Sequence, residues 1–436
     1  MARVDSIDAL RGVTIFAMIF CASIGYGSDL PAWMFHCQCP PPSYAFNPDV
    51  RGITWVDLVF PFFIFAMGAA IPFSLGGKLA KGEGTGRVIF DIFKRGVVLS
   101  LFSVIIGNGN VAAGAVKPYW LSVLLGVVMF ASMFAAFVRV PGRRWLNLIG
   151  WGAMAALLAI QHFVFGIPVK LSNCDIIIYL LAVVSVVTGL VWLLTRSSYR
   201  LRIAAWLLVV STKLLGIDFL QYAVIAIPAT IAGDMIREGL EPAEARSRVP
   251  SVNPGFSSLL AAIAALSAIF VQLWGLYNRQ ILADGLATLA LAAGFVLLTF
   301  RSGSLFARFG YASFLLILIG IVFDPLDGGI AKDYCNLSYL FTTLGCAGMM
   351  LCFLMRLEAS MPLSRAFVMT GRNPMIAYTI PWLVISPCLY LTGFMGWMDT
   401  LCAGNPWLGL LRGVVVTSLT LAFTCLFTYR KLYWKS

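Results

Sequence analysis

Trp55-Val56-Asp57-Leu58-Val59-Phe60-Pro61-Phe62-Phe63-Ile64-Phe65-Ala66-Met67-Gly68-Ala69-Ala70-Ile71-Pro72-Phe73-Ser74-Leu75-Gly76-Gly77 holds a single charged residue in 23 positions. A helix rises 1.5 Å per residue, so about 20 apolar residues cross a hydrocarbon layer of about 30 Å. This run is long enough to do so. Comparable runs lie near 10–28, 88–107, 118–138, 145–165, 175–195 and 203–215. More follow near 218–236, 256–276, 282–300, 305–323, 337–355, 375–394 and 407–429, which makes 14. The run at 203–215 is short. With its successor it forms either a hairpin or one element broken around Gly216 and Asp218, so 12 or 13 spans are the alternatives.

Composition agrees with this reading. Hydrophobic residues make up 60% of the 436 positions and charged residues 11%. A soluble domain carries about 25% charge. Mean hydropathy is +0.90. Such a chain cannot enclose its apolar surface in one water-soluble core, so the lipid bilayer is its solvent and first partner. The expected fold is all-α, a polytopic transmembrane helix bundle forming one domain over 1–436. The first run begins near Leu10 without a small-residue cleavage site after it, and reads as a retained helix.

Net charge is +12, yet this excess does not point to nucleic acid. The basic residues fall in short clusters between apolar runs, as membrane topology requires. With the N-terminus in the cytoplasm and strict alternation, the inner segments hold 24 of the 31 Lys and Arg residues and the outer segments 7. Both termini are then cytoplasmic. The longest polar stretches are 29–54 outside, 237–255 inside and 324–336 outside, and no clear internal repeat is present.

Ten cysteines are scattered. Cys21, Cys346, Cys352, Cys388 and Cys425 lie inside apolar runs, where cysteine acts as a small hydrophobe. Cys37, Cys39, Cys174, Cys335 and Cys402 lie in or near outer loops, where a disulfide is open to them. There is no CxxC or Cys/His metal spacing, and His36 and His162 are the two histidines, so no metal is expected.

Four stretches carry chemistry. At the inner mouth of the first run, Asp8 and Arg11 stand three apart and share a helix face, as a salt-bridged pair or as a plain interfacial anchor. The outer loop contains His36 and is stiffened by Pro40, Pro41 and Pro42. It leads into Thr54-Trp55-Val56-Asp57, a spacing that fits an N-cap with a first-turn acid. Phe323 to Asp333 places Asp324, Asp327, Lys332 and Asp333 in one tight outer turn with Gly328 and Gly329. That turn reads either as a ligand loop approached closely by backbone or as an ordinary solvated turn. Thr370-Gly371-Arg372-Asn373-Pro374 enters a helix from inside, with Asn373 at the cap and Pro374 in the first turn.

In this order, these stretches resemble the heparan-α-glucosaminide N-acetyltransferase family, specifically a bacterial branch. The resemblance rests on Asp-Ala-Leu-Arg-Gly at 8–12 and on Gly-Ile-Thr-Trp-Val-Asp-Leu-Val-Phe-Pro-Phe-Phe at 52–63. Gly-Gly-Ile-Ala-Lys-Asp at 328–333 and Gly-Arg-Asn-Pro at 371–374 add to it. Residues 110–300 match only as apolar helices. The resemblance implies acetyl transfer from cytosolic acetyl-CoA, as co-substrate, to the amine of a sugar beyond a bacterial inner membrane. The family uses an outer histidine shortly before the Asp-Leu-Val-Phe-Pro helix and an asparagine on the first helix. Here those positions hold Asn47 and Ala22. His36, in the same loop, is the substitute candidate.

The expected catalytic group is therefore His36 with Asp57 or Asp327 to orient it, since transfer to an amine or hydroxyl needs a base for the acceptor proton. Trp55, Asp324, Lys332 and Asp333 are candidates for the saccharide acceptor. Asp8, Arg11, Arg95, Arg372 and Asn373 are candidates for the CoA phosphates. The competing class is a permease for a small sugar or its derivative, which should carry intramembrane charges along a path. Here charges cluster at helix ends, which favours the enzyme. A homo-oligomer is compatible with either reading.

The basic-residue split makes a direct prediction. Reporter domains fused after Ser436 should be active only if they work in the cytoplasm. An active exported reporter at that position would reverse the topology.

Overall fold

The computed structural model describes residues 4–24, 30–40, 42–138, 143–239 and 255–434. Most of the inner stretch at 237–255 lies outside the described residues. Each of the 14 apolar runs contains a helix among the described residues. In chain order the helices are α1 (Asp5–Ser23), α2 (Val59–Leu79), α3 (Thr85–Ala115), α4 (Tyr119–Phe137), α5 (Arg144–Phe163) and α6 (Ile176–Thr195). There follow α7 (Tyr199–Leu214), α8 (Ala223–Glu238), α9 (Phe256–Tyr277), α10 (Ile281–Thr299), α11 (Leu305–Leu326) and α12 (Leu337–Ser360). The chain ends with α13 (Arg365–Arg372), α14 (Pro374–Ile380), α15 (Ser386–Leu391), α16 (Phe394–Gly404) and α17 (Gly409–Tyr429). A π-turn over Pro381–Ile385 joins α14 and α15 into one span.

Among the described residues, 12 helical segments are long and apolar enough to cross a membrane. The chain is a multi-pass membrane protein. The other two runs are the 31-residue α3 and the 16-residue α7. Of the two readings for the short run, the hairpin is the one adopted. Gly216 turns with φ +77°, and Trp206 Nε1 of α7 donates to the Val224 carbonyl of α8 at 2.8 Å.

Local sequence starts several of these helices. Ser198, Ser304 and Asn336 accept the backbone N–H three residues on, which supplies one of the orphan donors at each helix start.

Contacts divide the chain into two units. The first comprises Met1–Thr14, Pro31–Ile92 and Val184–Val368, the second Ile15–Leu30, Phe93–Val183 and Met369–Ser436. In the first unit α12 is central, with 89% of its span buried, and it packs on α11, α9, α2 and α8. Its hydropathy, 1.7, is lower than the 2.6 of α6, of which half is buried. Lipid is as apolar as leucine, so hydrophobicity does not sort helices inward; small residues that allow close approach do. The α2–α8 crossing shows this. Gly68 lies against Ala226 and Ala229, and a Cβ on Gly233 would stand 2.2 Å from the Ala69 carbonyl oxygen.

The first unit also buries an ion pair. Arg202 Nη1 donates to Asp234 Oδ2 at 2.6 Å, and Trp192 Nε1 donates to the same oxygen at 2.8 Å. In the second unit α4 and α5 form a hairpin, where Asn147 Nδ2 donates to the carbonyls of Ala135, Ala136 and Val138 at the end of α4. The C-terminal Trp434 stacks on Phe137, with ring centroids 5.3 Å apart.

Gly233→Leu should therefore force α2 and α8 apart. Overpacking of this kind costs about 1–3 kcal/mol, visible as a lower thermal midpoint of the detergent-solubilised protein. An unchanged midpoint would show that the two backbones are not this close.

Candidate functional site

The loop at 30–54 and the α2 entrance meet at Asp57. A short 3-10 turn, Trp55–Leu58, precedes α2, and Asp57 closes it as the spacing predicts. Its Oδ2 accepts the N–H of Thr54 at 2.9 Å, the hydroxyl of Thr54 at 3.2 Å and the N–H of Cys37 at 3.3 Å. The other oxygen, Oδ1, lies 2.8 Å from His36 Nδ1 and 3.4 Å from Lys332 Nζ. The Asp57 side chain is fully buried, whereas His36 keeps 33% of its side-chain surface. The carboxylate thus serves as helix cap and as partner of the histidine at once.

Lys332 reaches this point from the 327–336 loop, with Nζ 2.9 Å from the same His36 Nδ1. An ammonium only donates and a carboxylate only accepts, so Nδ1 serves one of the two at a time. If Nδ1–H donates to Asp57, Nε2 carries a lone pair and is a base. If Nδ1 accepts from Lys332, Nε2–H is a donor. In both arrangements Lys332 offsets the buried charge of Asp57.

The two loops are built around each other by backbone geometry. Gly52, at φ +125°, donates its N–H to the Ile330 carbonyl at 3.0 Å, and Gly329 sits at φ +104°. These conformations admit glycine and almost nothing else. The glycines of the 328–333 stretch thus shape the turn. Behind it, Asp324 is held by Arg279 in a bidentate pair, both contacts at 2.8 Å, and accepts the Ile330 N–H at 2.7 Å. Asp327 Oδ2 accepts the Ser338 N–H at 2.7 Å, at the start of α12. Tyr339 Oη donates to the Asp57 carbonyl at 2.8 Å.

Of the outer candidates, then, the fold brings His36, Asp57 and Lys332 together. Asp324 and Asp327 support the turn, Asp333 is exposed, and Trp55 is half-buried beside Asp57 in the chain. Arg279 and Tyr339 escaped the sequence reading. For Arg279 the available signal was a single arginine in the short turn between two apolar runs; Tyr339, inside an apolar run, gave none. Asn47 is exposed and accepts the Asp49 N–H at 3.0 Å in a local turn.

The ten cysteines are all free. Burial, reinforced by the charge of Asp57, pushes the Cys37 thiol up to about 12, and burial pushes Cys335 up to about 11. Neither is a ready nucleophile. No group of three or more His, Cys, Asp or Glu suited to a metal ion occurs among the described residues. His162 is exposed at the end of α5, edge-on to Phe163.

The inner candidates fall in different places. In the first unit Arg11 pairs with Asp8 at 3.4 Å and donates to the Ala66 carbonyl of α2 at 3.3 Å. Glu358 accepts the N–H groups of Asp5 and Ser6 at 3.2 and 3.0 Å, an anion at a helix N-terminus. In the second unit Arg95 and Arg372 are half-buried. Asn373 occupies the cap position of α14, but its side chain does not cap. It donates to the Leu432 carbonyl at 2.9 Å and accepts the Trp434 N–H at 3.1 Å, which pins the C-terminal segment.

Residues 3–219 match a family described as a domain of unknown function, DUF5009. The heparan-alpha-glucosaminide N-acetyltransferase of Homo sapiens is 31% identical over 112 residues, which is 26% of this chain and 15% of that protein. The corresponding protein of Mus musculus is 30% identical over 112 residues, again 15% of its length. The chain is thus similar to an N-acetyltransferase over about a quarter of its own length, and spans about 15% of that relative.

Proposed function

We propose that the protein is a membrane acyltransferase that moves an acetyl group from acetyl-CoA, on the cytoplasmic side of a bacterial inner membrane, to an amino sugar on the outer side. The observation that carries this reading is the His36–Asp57–Lys332 cluster, where a part-exposed imidazole rests on a fully buried carboxylate. A carboxylate on Nδ1 fixes the imidazole with Nε2 outward, the orientation a general base needs. The partial similarity to an N-acetyltransferase supports the acyl donor.

In this mechanism His36 Nε2 takes the proton of the acceptor amine as its nitrogen attacks the thioester carbonyl. The carbon–sulfur bond then breaks, and His36 returns the proton to the departing thiolate. Asp57 holds Nδ1, and Lys332 balances the carboxylate. Arg95 and Arg372 are the second unit's candidates for the CoA phosphates, where arginine forms strong charge-assisted contacts.

The alternative of a sugar permease draws on one observation. Asp284 is buried with no ion pair among the described residues, and accepts from Gln272 Nε2 at 2.8 Å. It stands in the first turn of α10, however, and supplies a single group rather than a path.

Purified protein in detergent should release CoA thiol from acetyl-CoA when an amino sugar is present. His36→Ala should leave folding intact and cut that rate by about 10²–10⁴-fold, the usual worth of a placed proton-transfer group, while His162→Ala changes it little. Full activity in His36→Ala would move the base elsewhere. Sugar uptake into proteoliposomes without CoA would favour the permease.

Asp57→Asn should lower both transfer and the thermal midpoint, since an amide cannot accept all the donors that converge on this carboxylate and an unsatisfied buried polar group costs about 1–3 kcal/mol. Arg95→Ala and Arg372→Ala should each weaken CoA binding by calorimetry. Undiminished affinity in both would place the phosphates on other residues.

A further inference from the structure

Three spans of the first unit end around a cavity of about 430 Å³. Gly76 of α2, Trp192 of α6, Arg196 just beyond it, and Asp234, Arg237 and Glu238 of α8 border it. The distribution of basic residues puts this end on the cytoplasmic side, close to the ends of the spans.

The carboxylates here are already engaged. Asp234 accepts from Arg202 and Trp192, and Glu238 Oε1 accepts the Tyr199 hydroxyl at 2.7 Å. The guanidiniums of Arg196 and Arg237 have no ion pair among the described residues. Arg196 is exposed and makes no hydrogen bond or ion pair among the described residues. Arg237 is half-buried, and its one hydrogen bond goes to the Pro72 carbonyl at 3.3 Å. Gly76 leaves the room that Arg237 occupies: a Cβ there would stand 2.1 Å from Arg237 Nη1.

Cations near helix C-termini also complement the macrodipole, and arginines snorkel to the interface. Those effects account for basic residues at this end. They require neither a cavity nor a glycine that seats one guanidinium at its wall.

We propose that this cavity binds the phosphate-ester anion of a phospholipid headgroup, gripped by Arg196 and Arg237, with the buried Trp192 forming part of its wall. The same anion chemistry is carried by soluble phosphate esters such as CoA. The site does not depend on the acyl-transfer reading.

Native mass spectrometry of the full chain, released from micelles with phosphatidylglycerol or phosphatidylcholine, reads lipid retention. Calorimetry with CoA reads the soluble alternative. The double variant Arg196→Gln/Arg237→Gln should lose the preference for phosphatidylglycerol by roughly 30-fold, about fivefold per arginine. Gly76→Leu should act in the same direction by displacing Arg237 without removing charge. Arg301→Gln, an exposed arginine outside the cavity, should retain the preference. Undiminished preference in a double variant that keeps its thermal midpoint, or an equal loss in Arg301→Gln, would overturn the proposal. Loss of CoA binding with lipid retention intact would overturn the phospholipid as the source.

Discussion

A carboxylate with no water around it must find donors or lose its charge, and Asp57 is such a group at the entrance of α2. Its donors come from three separate places in the sequence: Thr54 beside it, His36 and Cys37 in the 30–54 loop, and Lys332 275 positions on. Satisfying one buried charge thus draws the 30–54 loop and the 327–336 loop onto the same helix start. Tyr339, from the most buried helix of the first unit, fixes the Asp57 carbonyl from below.

Most polar groups around this point are consumed by architecture. Asp324 is spent on Arg279 and the Ile330 N–H, Asp327 on the start of α12, and Cys37 is a buried thiol pushed up to about 12. His36 is different. Its Nδ1 is held by charged neighbours while a third of the side chain remains accessible. One side of the ring is anchored and the other is open, a contrast that Asp324, Asp327 and Cys37 do not share.

Below the loops, the spans pack by a different rule. In lipid there is no hydrophobic gain in bringing two apolar helices together, so close backbone contact and polar pairs must hold them. Gly68 and Gly233 serve the first purpose at α2–α8, and the Arg202–Asp234–Trp192 cluster serves the second at α6–α8. The α2–α8 pair also ends at the cavity bordered by Arg196 and Arg237, so the packing that stabilises the unit shapes that cavity.

The sequence by itself determined the membrane fold, because runs of about 20 apolar residues have one solvent in which they are stable. It also determined the Thr54–Asp57 cap and the Asp8–Arg11 pair, since both are set by spacings of three residues on one helical turn. Only the tertiary structure decided which distant groups meet. Lys332 and His36 are 296 residues apart, and nothing in either segment's pattern says that the lysine, rather than Asp327, will reach the imidazole. The same holds for Asn373, which reads as a cap from its neighbours yet spends its side chain on Leu432 and Trp434. Local spacing fixes contacts within a turn; contacts across the fold depend on where buried charges and unpaired backbone groups find partners once the helices have packed.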